Sequence, residues 1–340
     1  MNKNLYEICR KIPKAELHIH IEGTLEPEMI MELSKRNNIP IPYNSVEEIK
    51  EKNKFNNLKE FIDVYMSTCK ILKFEEDFYD LMLAYLKKEH EEGLKYAEIS
   101  FDPITHLKNG VEFSVFMKGF NSAMKKAEVD LEIESKLILT FKRDSSIEES
   151  KNILKLALPF KSFIIGVGLA SCEIGYPPEL FTEVFKEAKT YGFRLCCHAG
   201  EEGGPENIRQ CINLGIERID HGVRIIEDEE LMDIYVEKQI PLTLCPLSNY
   251  KLKVYPDLTK YPLKTLMQKG LLVMLNSDDP AYFGGYLGDN YIAMVDNCNI
   301  NLEEIILLAK NSFKASFLEK EKIDFYLNSI DKFINKIKIS

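Results

Sequence analysis

The chain has 340 residues, enough to bury a large core as one α/β barrel or as two ordinary domains. Its net charge of −10 argues against nucleic-acid binding, and no apolar run approaches the roughly 20 residues of a membrane span. Met1–Lys11 shows no charged-then-apolar leader, and the eight cysteines form no C-x-x-C pair. We therefore expect a cytoplasmic protein with reduced thiols that binds neither nucleic acid nor membranes.

Eight short apolar runs recur along the chain, with helical segments between them. Each run is too short for a helix and rich in branched apolar residues, which is typical of a buried strand. The predicted strands are Ala15–Ile21, Tyr96–Asp102, Ser135–Phe141, Phe163–Ala170, Arg194–Glu201, Arg218–Gly222, Pro241–Ser248 and Leu271–Asp278. Amphipathic patterns predict helices over Pro178–Tyr191 and Glu227–Lys238.

Eight strands that alternate with helices indicate a TIM-type (β/α)8 barrel. The remaining length predicts two helical additions, one over Glu26–Glu92 and a C-terminal pair around Leu302–Leu318 and Lys322–Ile337. An open doubly wound sheet is the alternative, but it calls for a glycine-rich phosphate loop after the first strand, and Ile21–Thr24 is not one. Because no repeat, low-complexity tract or linker is visible, we expect residues 1–340 to form one domain.

Polar side chains gather near the ends of the predicted strands, where barrels of this type carry their active sites. His18 and His20 are two residues apart on the first strand, so both imidazoles lie on one face. His198 lies near the end of the fifth strand and Asp278 closes the eighth. Three imidazoles and a carboxylate suit zinc in a catalytic site, although iron or manganese accepts the same ligands. A structural metal is less favoured, because the ligands come from distant strands.

Three further polar residues lie near this set in the sequence. Glu201 follows His198 by three residues, His221 lies near the end of the sixth strand, and Asp279 adjoins Asp278. Each alone is consistent with a core, loop or helix-capping residue. Their convergence on one end of a barrel is what indicates a catalytic site. His106, after the second strand, is consistent with either a site residue or a loop residue.

Five motifs resemble those of the adenosine/adenine deaminases and follow in the same order from about residue 12 to residue 290. They are Pro13–Leu25, His198–Glu201, Asp220–Gly222, Cys245–Asn249 and Ser277–Pro280. The resemblance implies a barrel of the amidohydrolase superfamily that holds one zinc ion (Zn2+). The ligands it implies are His18, His20, His198 and Asp278.

The same resemblance implies roles around the metal. Glu201 would protonate purine N1, His221 would orient or deprotonate the attacking water, and Asp279 would hydrogen-bond the purine. Ser171 occupies a position near the base. Some amidohydrolases bridge two metals with a lysine carbamate, but the fourth strand ends without a lysine, which favours a single ion. The H-x-E and P-C-x-x-C motifs of the other zinc deaminase architecture are absent.

The expected substrate depends on Glu22. Nucleoside deaminases of this family usually have Asp there, and a longer carboxylate would intrude on the space for the ribose. The segments Arg218–Arg224, Asp279–Tyr286, Phe101–His106 and Gly175–Pro178 also resemble the adenine-specific branch. The resemblance therefore predicts hydrolysis of adenine to hypoxanthine and ammonia, as in purine salvage, with adenosine and N6-substituted adenines as alternatives.

Two hypotheses of other classes remain at this point. One is a non-catalytic purine- or metal-binding protein, which would need the ligands and pocket but not Glu201. The other is an amidohydrolase that acts on an amide or phosphoester, against which the adjacent Asp278 and Asp279 and the spacing from His198 to Glu201 argue.

Overall fold

The computed structural model describes residues 2–55 and 57–339. Eight strands, each paired in parallel with the next in chain order, form a barrel sheet. The strands are β1 (Lys14–Glu16), β2 (Leu94–Phe101), β3 (Glu134–Lys142), β4 (Ile164–Ala170), β5 (Arg194–Ala199), β6 (Arg218–His221), β7 (Leu242–Leu244) and β8 (Val273–Leu275). The predicted barrel is confirmed, and every predicted strand overlaps an observed one.

The barrel closes through the chain that follows β1 and β8. His20 N donates to Asp278 O at 2.9 Å, and Asp278 N donates to His18 O at 3.1 Å. Regular β1 is shorter than predicted because Leu17 N and His18 N donate to the Asn276 side-chain oxygen, at 2.8 and 3.1 Å, instead of to a neighbouring strand. The same backbone segment therefore joins the two edges of the sheet and carries both histidines.

Helices surround the barrel and fill the predicted additions. Within the described residues these are α1 (Asn2–Lys11), α2 (Pro27–Arg36), α3 (Val46–Lys52), α4 (Leu58–Cys69), α5 (Glu75–Glu91), α6 (Pro103–Lys108), α7 (Phe113–Leu131), α8 (Ile147–Ala157), α9 (Thr182–Thr190), α10 (Pro205–Leu214), α11 (Glu229–Lys238), α12 (Pro246–Lys251), α13 (Leu263–Lys269), α14 (Pro280–Phe283), α15 (Leu287–Cys298), α16 (Leu302–Lys314) and α17 (Lys320–Ile339). Helices α2 to α5 form the predicted insertion, and α16 and α17 form the C-terminal pair.

Local sequence explains where several helices begin. The predicted helix at Glu227 starts at Glu229, because the Asp228 side chain caps it by accepting from Leu231 N. The predicted helix at Pro178 begins as a single 3-10 turn, Pro178–Phe181, before α9. In the part of the chain that the structure describes, no helix is both long and apolar enough to cross a membrane. All eight cysteines are unpaired.

The main core fills the barrel and the layer between the strands and the surrounding helices. A smaller apolar cluster, separate from this core, joins α4 to the loops that follow β7 and β8. We call it the roof cluster; its buried members are Phe55, Leu58, Phe61, Tyr65, Cys69, Leu252, Tyr282 and Phe283. The roof cluster therefore brings the helical insertion over the C-terminal ends of the strands.

Candidate active site

Four predicted metal ligands converge on one point at the mouth of the barrel. His198 Nε2 lies 3.1 Å from both His18 Nε2 and His20 Nε2. Asp278 Oδ1 lies 3.2 Å from His18 Nε2 and 3.4 Å from His20 Nε2. Strands β1, β5 and β8 supply these side chains at or just beyond their C-terminal ends. The arrangement agrees with the expected location of active sites in such barrels.

These distances fit a divalent metal ion. Tetrahedral ligands at 2.0–2.1 Å from zinc are separated by roughly 3.3 Å, close to the observed spacings. Burial, together with His198 beside it, lowers the pKa of His20 to about 4. Burial, with His18 beside it, also lowers the pKa of His198. Both imidazoles are therefore neutral at neutral pH, the form that binds a metal.

His221 lies at the edge of this set. Its ligand atom falls in a compact group with His18, His198 and Asp278, and a second compact group joins His20, Asp278 and Asp279. His221 Nε2 is 3.8 Å from Asp278 Oδ2 and 3.4 Å from Glu201 Oε2. His221 therefore lies between the ligand cluster and Glu201.

Outer partners hold the ligands in place, and sequence reasoning assigned none of them a role. His18 Nδ1 lies 3.0 Å from Thr243 Oγ1, which leaves Nε2 to face the cluster. Ser248 Oγ donates to Asp278 Oδ2 at 2.7 Å. His198 Nδ1 lies 3.4 Å from Asp220 Oδ2, an ion-pair distance without hydrogen-bond geometry. A carboxylate behind a ligating histidine is common in metal sites, so the Asp-His-Gly motif was an available signal for Asp220.

The backbone at the mouth is strained at three site residues. Ser171, His221 and Asp278 have φ values of 81°, 64° and 65°, in the left-handed region that non-glycine residues rarely adopt. Each follows or ends a strand, so the turn aims its side chain inward. Strain of this kind costs about 1–3 kcal/mol per residue and is concentrated at functional sites.

Glu201 is a buried acid with an unpartnered oxygen. Its side chain lines the pocket, it is 6% exposed, and Oε1 has no hydrogen-bond partner. Burial first, and then the negative charges of Asp278 and Glu202, raise the pKa of Glu201 well above its usual range. Burial therefore favours the protonated carboxyl, the form that can donate to a ligand in the pocket.

Asp279 also lines this pocket, and its Oδ1 has no hydrogen-bond partner. Burial, followed by repulsion from Asp278, raises the pKa of Asp279 well above its usual range. The carboxyl group packs directly on Gly23, where a Cβ atom would lie only 2.0 Å from Asp279 Oδ1. Glycine in the His20–Thr24 segment is therefore needed for Asp279 to occupy its position.

The pocket is lined by the polar cluster on one side and by an apolar wall on the other. Ser171 lines it as expected, together with Asp102 and Lys142, which sequence reasoning did not select. Asp102 directly follows β2, so its strand-end position was a usable signal. The apolar wall comes from the helical insertion and the last two barrel loops and includes Leu58, Phe61, Ile62, Tyr65, Leu252 and Phe283.

Glu22 does not project into the pocket, although the sequence predicted that its carboxylate would intrude on the space for a ribose. It is fully buried and is not among the pocket-lining residues. Its carboxylate accepts hydrogen bonds from Tyr65 Oη at 3.2 Å and Asp102 N at 3.1 Å, and lies 2.7 Å from His106 Nε2. His106 therefore contacts Glu22 and not the pocket. Glu22 reaches the pocket through Tyr65 and Asp102, two residues that do line it.

An eight-stranded parallel barrel that gathers imidazoles and carboxylates at its mouth has the architecture of a barrel enzyme whose site lies at the C-terminal strand ends. The adenosine deaminase family model matches residues 13–333, so the chain belongs to the adenosine deaminase family. It is 48% identical to the adenine deaminase of Wolinella succinogenes, over 94% of this chain and 96% of that protein. The adenine deaminase of Zymomonas mobilis is 46% identical, over 98% and 99%. The crystal structure of the Arthrobacter aurescens adenine deaminase superimposes with a TM-score of 0.93 at 39% identity, covering 95% and 99%.

Proposed function

We propose that this chain hydrolyses adenine to hypoxanthine and ammonia. The observation that carries the proposal is the buried acid Glu201, which lines the same pocket as the ligand cluster and has an oxygen without a hydrogen-bond partner. A protein that only bound a purine or a metal would have no need for that acid. The adenine deaminases that resemble the chain along nearly its whole length support the same substrate.

In this proposal His18, His20, His198 and Asp278 hold one Zn2+ ion. The spacing of their ligand atoms and the neutral state of His20 support that assignment. When bound, such an ion lowers the pKa of water to about 7 and so supplies a nucleophile at neutral pH.

Glu201 supplies the proton that the ring requires. Addition of water oxygen at purine C6 moves an electron pair onto N1, and a donor at N1 prevents charge from accumulating there. The raised pKa of Glu201, caused first by burial, keeps that proton available at neutral pH. The amine then takes the proton that His221 accepted from water, the C6–amine bond breaks, and ammonia leaves. The added oxygen becomes the C6 carbonyl as its remaining proton returns to Glu201.

His221 and Asp279 complete the polar side of the pocket. Burial, with His18 beside it, lowers the pKa of His221 well below its usual range, so its neutral ring can accept a proton from water or orient it. A protonated Asp279 can donate from its unpartnered carboxyl to a purine ring nitrogen such as N7. In this proposal Ser171, which follows β4 and lines the same pocket, contacts the edge of the base.

The wall held by Glu22 supports free adenine over adenosine. Tyr65 and Asp102 both donate hydrogen bonds to the buried carboxylate of Glu22. Displacing the wall that they form to make room for a ribose would break these bonds and leave a buried acceptor unsatisfied. In the same proposal, residues 1–340 form one catalytic domain that serves purine salvage in the cytoplasm, which the eight unpaired cysteines suit.

A side-by-side assay of zinc-loaded protein tests the proposal. Adenine, adenosine and N6-methyladenine are supplied separately, and turnover is followed by ultraviolet absorbance and by release of the amine, which is ammonia from adenine and adenosine and methylamine from N6-methyladenine. We expect adenine to have the highest kcat/KM and adenosine to be turned over poorly. Protein that retains its zinc but converts neither adenine nor adenosine would contradict the function, and a preference for adenosine would contradict the role given to Glu22.

A further inference from the structure

Glu173, just beyond β4, gathers the loop that carries Glu201. It is 3% exposed and its two oxygens accept five hydrogen bonds. Oε1 accepts from Gly200 N at 2.8 Å and from the Asn207 side chain at 2.9 Å. Oε2 accepts from the backbone N of Glu201, Glu202 and Gly203, at 3.1, 3.1 and 2.9 Å.

Four consecutive backbone N–H groups therefore point at one carboxylate. Successive N–H groups of this kind form a concave anion site, and here the anion belongs to the protein itself. Charge-assisted hydrogen bonds to a carboxylate are roughly twice as strong as neutral ones. The position of the Glu201 backbone thus depends directly on Glu173.

Two glycines in the loop of residues 200–203 allow its backbone to approach the Glu173 side chain closely. A Cβ atom at Gly203 would lie 2.6 Å from Glu173 Oε1, and one at Gly200 would lie 2.3 Å from the Ile208 side chain. Gly200 also has a φ of 73°, a conformation that favours glycine. The two glycines allow the backbone to wrap closely around the carboxylate.

Further hydrogen bonds join the loop after β4, which carries Glu173, to the loop after β5, which carries Glu201. Glu173 N donates to Glu202 Oε2 at 3.2 Å, which makes the pairing of these residues reciprocal. Buried Arg143 donates to the carbonyl oxygens of Tyr176, in the loop after β4, and of His198, at the end of β5. Glu173 is thus one member of a rigid support beneath the donor.

We propose that Glu173 is a positioning residue for the proton donor Glu201, which it places by binding the backbone amides of residues 200–203; this inference rests on the proposed function. The negative charge of Glu173 acts in the same direction, because it adds to the burial that raises the pKa of Glu201. Glu173 does not line the pocket, so it acts through Glu201 and not on the purine.

The test is a double-mutant cycle with adenine as substrate. Glu173→Gln replaces one acceptor oxygen with an NH2 group that faces N–H donors. We expect kcat to fall by about 100-fold, the loss that a misplacement near 1 Å can cause, with KM changed less than about threefold and zinc content unchanged. The matched control is Glu206→Gln, an exposed glutamate that accepts only Gly204 N in the same loop, and it should retain the wild-type rate.

The cycle separates positioning from general damage. If Glu173 acts through Glu201, the Glu173→Gln/Glu201→Gln protein is no slower than Glu201→Gln alone. Losses that multiply, or a Glu173→Gln protein at the wild-type rate, overturn the inference. Wild-type protein that does not convert adenine contradicts the proposed function instead. Should the variant fail to fold, hydrogen exchange on wild-type protein decides: slow exchange at the amides of residues 200–203 supports the inference, and rapid exchange overturns it.

Discussion

The two ends of the barrel both bury ionisable groups, but they satisfy them differently. At the N-terminal end, Lys14 begins β1 and is completely buried. The three N–H groups of its Nζ are shared among four carbonyl oxygens, those of Cys9 at 2.8 Å, Arg10 at 3.3 Å and Ile12 at 3.4 Å, and that of Glu92. Burial lowers the pKa of Lys14 to about 8, although nearby Glu89 opposes that shift. The ammonium group ties α1 to the end of α5.

At the C-terminal mouth, Glu201 and Asp279 each keep an oxygen without a partner. Glu89 near the other end also has one such oxygen, so an unpartnered atom alone does not separate the two ends. The difference is that Glu201 and Asp279 line a pocket that the ligand cluster also lines. A shifted pKa marks both ends of the barrel, and only its combination with a cavity and converging ligands indicates catalysis.

The largest loss of turnover should come from a substitution at the C-terminal mouth of the barrel. Glu201→Gln removes the proposed proton donor but preserves shape, so we expect kcat for adenine to fall about 10²- to 10⁴-fold. Metal content and the midpoint of thermal unfolding should stay at wild-type values, since no candidate ligand and no packing is changed. Steady-state kinetics with metal analysis checks this. A variant with full activity would place Glu201 outside the mechanism and would erase the contrast between the two ends.

A pH profile gives a smaller effect with a defined sign. The donor form of Glu201 is the protonated one, and burial raises its pKa well above the usual range. Activity from this group is therefore retained through neutral pH and lost as pH rises through the raised pKa. We expect kcat/KM to fall on the alkaline side in wild-type protein, and Glu201→Gln to keep only the part of that fall due to Asp279, whose pKa burial also raises. A decline centred near the ordinary pKa of a glutamate would contradict the burial argument.

The smallest effect on turnover should come from the N-terminal end. Lys14→Met leaves buried carbonyl oxygens without their donor, which costs about 3 kcal/mol of unfolding free energy. We expect the midpoint of urea unfolding to fall while kcat of the folded protein stays within about twofold of wild type. Lys11→Met, at an exposed position in the same segment, is the control and should change neither quantity. A large loss of kcat in folded Lys14→Met protein would show that the two ends are coupled.

Much of the architecture could be predicted from local patterns. The length of the apolar runs and their content of branched residues located all eight strands. A parallel barrel buries both faces of each strand and so gives continuous apolar runs. The same patterns misplaced ends: β1 stops at Glu16 because a side chain, Asn276, replaces the neighbouring strand as hydrogen-bond acceptor. No local signal encodes such a long-range substitution.

The candidate site also has a part that the sequence predicted and a part that only the structure shows. The sequence by itself determined which polar residues meet at the mouth, because they lie at strand ends that a barrel must bring together; these residues are His18, His20, His198, Glu201, His221, Asp278 and Asp279. Only the tertiary structure decided how they are supported. That Glu22 binds Tyr65 and Asp102, and that Glu173 gathers the amides of residues 200–203, depends on side chains from separate loops meeting in a buried volume. Hydrogen bonds between distant segments follow from packing, which the order of residues along the chain does not display.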